Sequence, residues 1–249
     1  MQRIAFLNCY VDSLTISEAL DWMAECIRQG SPHTITAINA NKFWLMSKNE
    51  RLANFVRNSD LVIPEWAVVW GAARLGSPLK SHVGGISLLK ASLCWAEQHG
   101  YRPFFLGAKP EVAQAMENKL AQDYPGLQVA GYHHGYIANQ VDLDQVKELI
   151  RMSRPDLLFV AMGTPKQEYW IEEHLPVLEV PVAVGVGGSF DIVAGIKKDT
   201  PNWARGRGLE WLYRLAQDPG AYWRRYLITN SWFVWQIVKA SVRRRLRWA

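Results

Sequence analysis

The chain has 249 residues, 49% of them hydrophobic, and a formal net charge of +5, enough to bury one large core or one domain with an appendage. No run approaches the ~20 apolar residues of a membrane span, and the N-terminus MQRIAFLNCYVDSL lacks the apolar core and cleavage site of a signal peptide. Cys9, Cys26 and Cys94 are odd in number and lack metal-ligand spacing, which argues against a disulfide scaffold and for a reducing, cytoplasmic setting.

In chain order, residues 3–10 predict a short strand and Ser17 to Gln29 a helix capped by Ser17. HTITAINANKFW then alternates into Ala37-Ile-Asn-Ala-Asn-Lys42, where Thr36, Asn39 and Asn41 gather at a strand end; such side chains bond local backbone or line a site. A helix over Ala53 to Asn58 and a strand Leu61-Val62-Ile63 lead to Pro64-Glu65-Trp66. Glu65 reads either as a partly buried surface carboxylate or as a general base beside a ring able to support the flat face of a sugar. The loop LGSPLKSHVGG, with Lys80 and His82, precedes a helix over Ile86 to His99. It is a connector or, through the amides of Gly84 and Gly85, a phosphate site.

A strand Pro103 to Leu106, a turn Gly107-Ala108-Lys109 and a helix from Pro110 repeat the strand-turn-helix theme. Leu127 to Tyr132 predicts a strand and Asp142 to Arg151 a helix. Asp142-Leu-Asp144 superficially matches a metal-binding Asp-x-Asp, but acidic residues at a helix start are favoured by the helix dipole, and no metal is assigned. In Asp156 to Trp170 a continuously apolar strand, Leu157 to Ala161, runs into Gly163, with Thr164 as N-cap and Pro165 at the first helical position. Thr164, Lys166 and Gln167 thereby meet at a strand's carboxyl end, where open α/β sheets bind ligands. Val180 to Val186 predicts a second buried strand closing in Gly185-Val-Gly187-Gly188-Ser189 and Phe190-Asp191; adjacent glycines let backbone amides approach an anion. No GxGxxG occurs, which argues against a nicotinamide enzyme.

Six or so strands alternating with helices imply an α/β fold, a doubly wound, mostly parallel sheet with helices on both faces. The domain expectation is a catalytic unit over 1–200 and a helical appendage over 201–249. Six of the twelve Trp lie in the last 47 residues, and residues 210–249 carry eight Lys/Arg against two Asp/Glu, so the basic charge belongs to the tail. From Tyr222 on, a helical plot places Trp223, Leu227, Val234, Val238 and Val242 on one side and Arg225, Lys239, Arg243 and Arg247 opposite, with Arg245 breaking the pattern. Such a helix fits an interface with anionic lipid, or a terminal helix docked on the domain. Charge confined to one helix speaks against nucleic acid as a partner.

Together these segments resemble the WecG/TagA/CpsF glycosyltransferases, family 26. The matching pieces are Ala37-Ile-Asn-Ala-Asn-Lys42, Leu106-Gly-Ala-Lys-Pro110, Val160-Ala-Met-Gly-Thr-Pro-Lys-Gln-Glu168, Gly185-Val-Gly-Gly188 with Phe190-Asp191 and Gly195, and Gly208-Leu-Glu-Trp-Leu-Tyr-Arg-Leu215. The resemblance implies an inverting, metal-independent enzyme without a cofactor, peripheral on the inner face of the plasma membrane. It would move a sugar from UDP to a polyprenyl-diphosphate-linked sugar for a bacterial surface polysaccharide; self-association stays open. Glu65 would occupy the base position, with Asp191 as second choice. Thr36 and Asn39 would be polar walls and Gln167 a substrate contact, with Trp66, His82, Gly84, Gly85, Gly107, Gly163, Thr164, Gly187 and Gly188 completing the substrate site. Arg214, Arg224 and Arg225 would close over the diphosphate as a lid. The chain departs from the family pattern at Glu65-Trp66 (usually Asp-Gly), at His82 (often Arg) and at Asp199-Thr200-Pro201 (usually Arg-Ala-Pro). These departures motivate an alternative, a non-catalytic sugar-nucleotide-binding subunit of a polysaccharide assembly complex.

Overall fold

The computed structural model describes residues 1–201 and 203–246, with no account of the side chains of 245 and 246; Asn202, Arg247 and Trp248, and the side chain of Arg245, lie outside what is described. Six parallel strands form the central sheet: His33–Ile38 (β3), Leu61–Pro64 (β4), Pro103–Gly107 (β5), Gly131–His133 (β6), Leu157–Ala161 (β7) and Val182–Gly185 (β8), in the order β4-β3-β8-β7-β5-β6. Because side chains alternate across a strand, Phe104 and Leu158 enter one core while their neighbours Phe105 and Phe159 enter the other. Helices Ala40–Met46 (α2), Glu50–Asn58 (α3), Trp66–Arg74 (α4), Gln140–Ser153 (α7) and Lys166–Leu178 (α8) cover the first face. Ile16–Gln29 (α1), Gly85–His99 (α5), Pro110–Asp123 (α6) and the short Ser189–Val193 (α9) cover the second. The doubly wound expectation holds, with every strand pair of this sheet parallel. After β4 the chain crosses to β5, and β8 returns to lie between β3 and β7, so the order reverses beside β8, where such sheets open a crevice.

Several local expectations are corrected. The N-terminal strand is two strands, Gln2–Phe6 (β1) and Cys9–Ser13 (β2), paired antiparallel. Leu7 turns the chain at φ 52°, so the turn carries none of the usual glycine signal. Helix α1 is capped by Thr15, not Ser17: the Thr15 side chain accepts from the Glu18 N–H while Glu18 accepts from the Thr15 N–H, a reciprocal pair that lowers the cost of a helix end. The strand expected over Leu127 to Tyr132 shrinks to β6, since the Leu127 and Val129 amides bond locally to Tyr124 and Leu127 carbonyls instead of a ladder. Thr164 does not cap α8, which starts at Lys166 after a cis Thr164–Pro165 peptide; its hydroxyl donates instead to Glu168 at 3.0 Å.

Glu210–Gln217 (α10) and Pro219–Leu246 (α11) form the C-terminal part. Phe233 and Ile237 of α11 are buried in the first core, against Phe6 and Phe43. Gly71 of α4 admits this approach, since a Cβ there would lie 2.9 Å from the Ile237 side chain. The region after residue 200 thus shares a core with the sheet.

Candidate active site

A cavity of about 980 Å³ opens at the carboxyl ends of β3, β4 and β8. Each strand delivers a residue as it ends: Asn39 after Ile38, Glu65 after Pro64, and the Val186-Gly187-Gly188 turn after Gly185. Of the residues expected at the site, the structure gathers Asn39, Glu65, Trp66, His82, Gly84, Gly85, Gln167, Gly187, Gly188, Arg214 and Arg225 in its walls.

Asn39 is the N-cap of α2, its side-chain oxygen accepting from the Lys42 N–H at 2.9 Å, so the local-backbone reading holds for a residue that also lines the cavity. Glu65 stands at the N-cap of α4 without bonding the helix through its side chain, which leaves the carboxylate for the cavity. Burial pushes its pKa above the ordinary 4.5, and the nearby Glu210 adds to this; Arg214, the Asn39 side chain and Lys42 pull in the opposite direction. A carboxylate raised in this way is a better proton acceptor than a solvated one. Gly84 caps α5 with no side chain to satisfy the first amides, so that helix end is bare where it meets the cavity.

The C-terminal part closes the other side. Gly208, at φ 75°, lies against the Trp66 indole so tightly that a Cβ would fall 2.6 Å from the ring, and Gly206 approaches His82. The His82 Nε2 is 3.5 Å from Glu210. Burial would raise the Glu210 pKa, but His82, Arg214 and Arg205 together hold it below the ordinary carboxylate range. Arg214 Nε is buried without a hydrogen-bond partner among the described residues, and Arg225 stacks over Tyr222 (4.7 Å) and Tyr226 (5.2 Å) at the mouth. Asp199 joins Lys90 of α5 (2.7 Å) to Arg205 (2.6 Å) and so ties down the segment leading to α10.

Six expected residues lie elsewhere than in the cavity wall. Thr36 is buried beneath the floor, accepting from Lys42 Nζ at 3.0 Å. Gly107, at φ 129°, packs backbone to backbone on Ala161, where a Cβ would sit 2.5 Å from the carbonyl oxygen. Gly163 supplies the positive φ that ends β7, and Thr164 bonds Glu168. Asp191 pairs with Lys197 at 3.1 Å, and it is Lys197 that reaches the wall. Arg224 stacks over Trp223 at 5.2 Å. Two corrections concern chemistry inside the site. The Gly187 N–H does not face the cavity but donates to Gln167 Oε1 at 3.0 Å, and Gln167 has its Nε2 on Glu168 at 3.0 Å, so both ends of this amide are engaged within the protein. Sequence reasoning missed Lys42 and Glu168 as a buried ion pair at 2.8 Å. Asp142 and Asp144 behave as helix-start acids, accepting from the Ala138 N–H and pairing with Lys147.

A model of the glycosyl transferase WecG/TagA/CpsF family matches residues 4–247. The chain belongs to this family. Among its relatives, an N-acetylglucosaminyldiphosphoundecaprenol N-acetyl-beta-D-mannosaminyltransferase of Bacillus spizizenii is 37% identical over 181 residues, 72% of this chain and 69% of the relative. A protein of the same description from Staphylococcus aureus is 34% identical over 216 residues, 82% of both chains. Family membership makes the chain a glycosyltransferase. At the motif departures, Trp66 packs on Gly208, His82 on Gly206 and Glu210, and Asp199 anchors the segment before them.

Proposed function

We propose that the chain transfers a hexose, an N-acetylhexosamine or its uronic acid from a UDP-sugar to a polyprenyl-diphosphate-linked sugar, inverting the anomeric centre by a single displacement. Glu65 takes the proton of the acceptor hydroxyl as that oxygen attacks C1, and UDP leaves with its negative charge increased. Arg214 and Arg225, with the bare start of α5 at Gly84 and Gly85, meet that charge, a preorganised electrostatic contribution that no solvent has to rearrange to supply. The carrying observation is the placement of a pKa-raised Glu65 carboxylate in the same cavity as Arg214 and the glycine turns. The acceptor class is supported by the two mannosaminyltransferases, whose names specify an N-acetylglucosaminyl-diphosphoundecaprenol acceptor.

The same reading gives the lid an orientation. Among the described residues no helix is long and apolar enough to cross a membrane. Yet Trp211, Leu212, Trp223, Leu227, Val234, Trp235 and Val238 are exposed on α10 and α11, opposite the face carrying Thr229, Phe233 and Ile237 into the protein. Trp211 and Val234 also border the cavity. This apolar side rests on the cytoplasmic leaflet, and the lipid-linked acceptor enters from there. A panel of UDP-sugars with a synthetic prenyl-diphosphate N-acetylglucosamine, read by product mass and anomeric configuration, tests the transfer. UDP binding without turnover for every donor would favour the non-catalytic subunit instead.

A further inference from the structure

At the cavity floor lies a charged cluster to which the displacement step gives no direct role, with Lys42 in the lining and Glu168 behind it. Lys42 and Glu168 are both almost wholly inaccessible, at 4% and 1% exposure, and their charged atoms are 2.8 Å apart. A buried ion pair is seldom a net gain in stability over apolar packing. Its consequence here is directional. Glu168 Oε1 accepts from Lys42 Nζ, from Thr164 Oγ1 at 3.0 Å and from Gln167 Nε2 at 3.0 Å. With Nε2 held, Gln167 Oε1 points at the Gly187 N–H, 3.0 Å away. Chemistry fixes this orientation of the amide, because a carboxylate can only accept and a backbone N–H only donate.

Gly185 belongs to the same arrangement. Its φ is not in the left-handed region, so the absence of a side chain answers to space alone: a Cβ would lie 2.6 Å from Gln167 Nε2. Beyond it the turn is bare, since a Cβ on Gly187 or Gly188 would meet nothing within 4 Å among the described residues. One side of the turn is held from below by Gln167, and the other faces open space in the cavity.

We propose that Glu168 and Gln167 are positioning residues for donor binding: Glu168 grips the Gln167 amide, and Gln167 sets the Gly185 to Gly188 turn in the shape that receives the diphosphate of a nucleotide-sugar. This rests on the UDP-sugar reading above. It replaces a direct substrate contact by Gln167 with an action exerted through backbone. Substrate passes over Gly187 and Gly188, not over the glutamine.

The test uses the full chain, UDP as the calorimetric probe, and steady-state kinetics with donor and acceptor varied separately. Gln167→Met removes both ends of the amide at similar length; UDP affinity falls and donor KM rises about tenfold, the size of one lost hydrogen bond, while acceptor KM and kcat at saturating donor stay within about threefold. Gly185→Ala displaces the Gln167 amide while leaving both members of the Lys42–Glu168 pair in the chain and produces the same split. Glu168→Gln does likewise, and its combination with Gln167→Met is no worse than Gln167→Met alone, because residues acting in series are not additive. If Gln167→Met or Glu168→Gln does not fold, Gly185→Ala decides by itself. Unchanged UDP affinity and donor KM in Gly185→Ala, additive losses in the double variant, or a fall in kcat with donor KM intact overturns the inference while an active parent leaves the transferase reading standing. A parent chain that neither binds UDP nor transfers from any UDP-sugar overturns both.

Discussion

Two glycines end neighbouring parts of the same sheet and do opposite things. Gly107 closes β5 in the half formed by β5, β6 and β7, where an added Cβ would strike the Ala161 backbone at 2.5 Å. Gly185 closes β8 at the cavity, where an added Cβ would strike the end of a glutamine side chain at 2.6 Å. The first half is sealed by main chain on main chain, and Gly135 also packs against Gly107 there. The second is held by polar side chains around space. A glycine at a strand end therefore marks a close approach, and only the identity of the approaching atom tells scaffold from site.

The largest effect expected from a probe of this contrast comes from the buried pair. Lys42→Met strands the Glu168 carboxylate and should cost about 3–5 kcal/mol in chemical denaturation; a loss below about 1 kcal/mol would mean that Glu168 is readily solvated. Gly107→Ala, on the sealed half, combines a φ foreign to L-residues with a backbone clash. It should cost about 3 kcal/mol, near 10 °C in Tm, while the fraction that remains folded keeps its donor KM. A Gly107→Ala chain of parental Tm would dissolve the distinction between the two glycines.

On the open half, Glu65→Gln should lower turnover about 100-fold or more with UDP binding retained, since general-base catalysis contributes ~10² to 10⁴. Near-normal turnover removes Glu65 from the role. The pH dependence sharpens this. Glu65 has a folded pKa raised by burial, so the native state holds its proton more firmly than the unfolded chain, and the associated stability is present below the ordinary value of 4.5 and lost as pH rises through the folded pKa. Glu65→Gln should therefore melt above the parent at pH 8, and the gap should close below pH 4.5. Activity runs the other way, falling as Glu65 takes up its proton. Asp191→Asn carries the smallest expected loss, under about tenfold, because Asp191 lies outside the cavity wall and pairs with Lys197, which lines it. A loss as large as that of Glu65→Gln would exchange their roles.

Much of the architecture was legible. Continuously apolar segments such as Leu157–Ala161, short and followed by a glycine turn, suit a strand covered on both faces, and alternation with helices leads from there to a parallel sheet. Short elements were harder. Helix α2 hides in a stretch whose Asn39 could equally cap a helix or close a turn, and α4 follows Glu65 with an apolar sequence that lacks a polar face. The convergence of Asn39, Glu65 and Gly187 was readable in part because each ends a strand. Gly107, Gly163 and Thr164 end a strand just as well, and no local rule separates the two sets.

By itself, the order of residues determined the family, the layered fold and the list of polar and glycine residues from which a site could be assembled. All of these depend on local periodicity and on motifs in sequence order. What only the tertiary structure decided is who faces whom: that Gln167 turns to the backbone of Gly187, that Trp66 and His82 meet the 206–210 segment, and that Lys42 finds Glu168 across 126 positions of chain. Such pairings arise from the crossing of strands and the packing of helices on them. The physical reason they escape sequence reasoning is that a side chain's role is set by the few ångströms around it, and those are filled by residues distant in the chain.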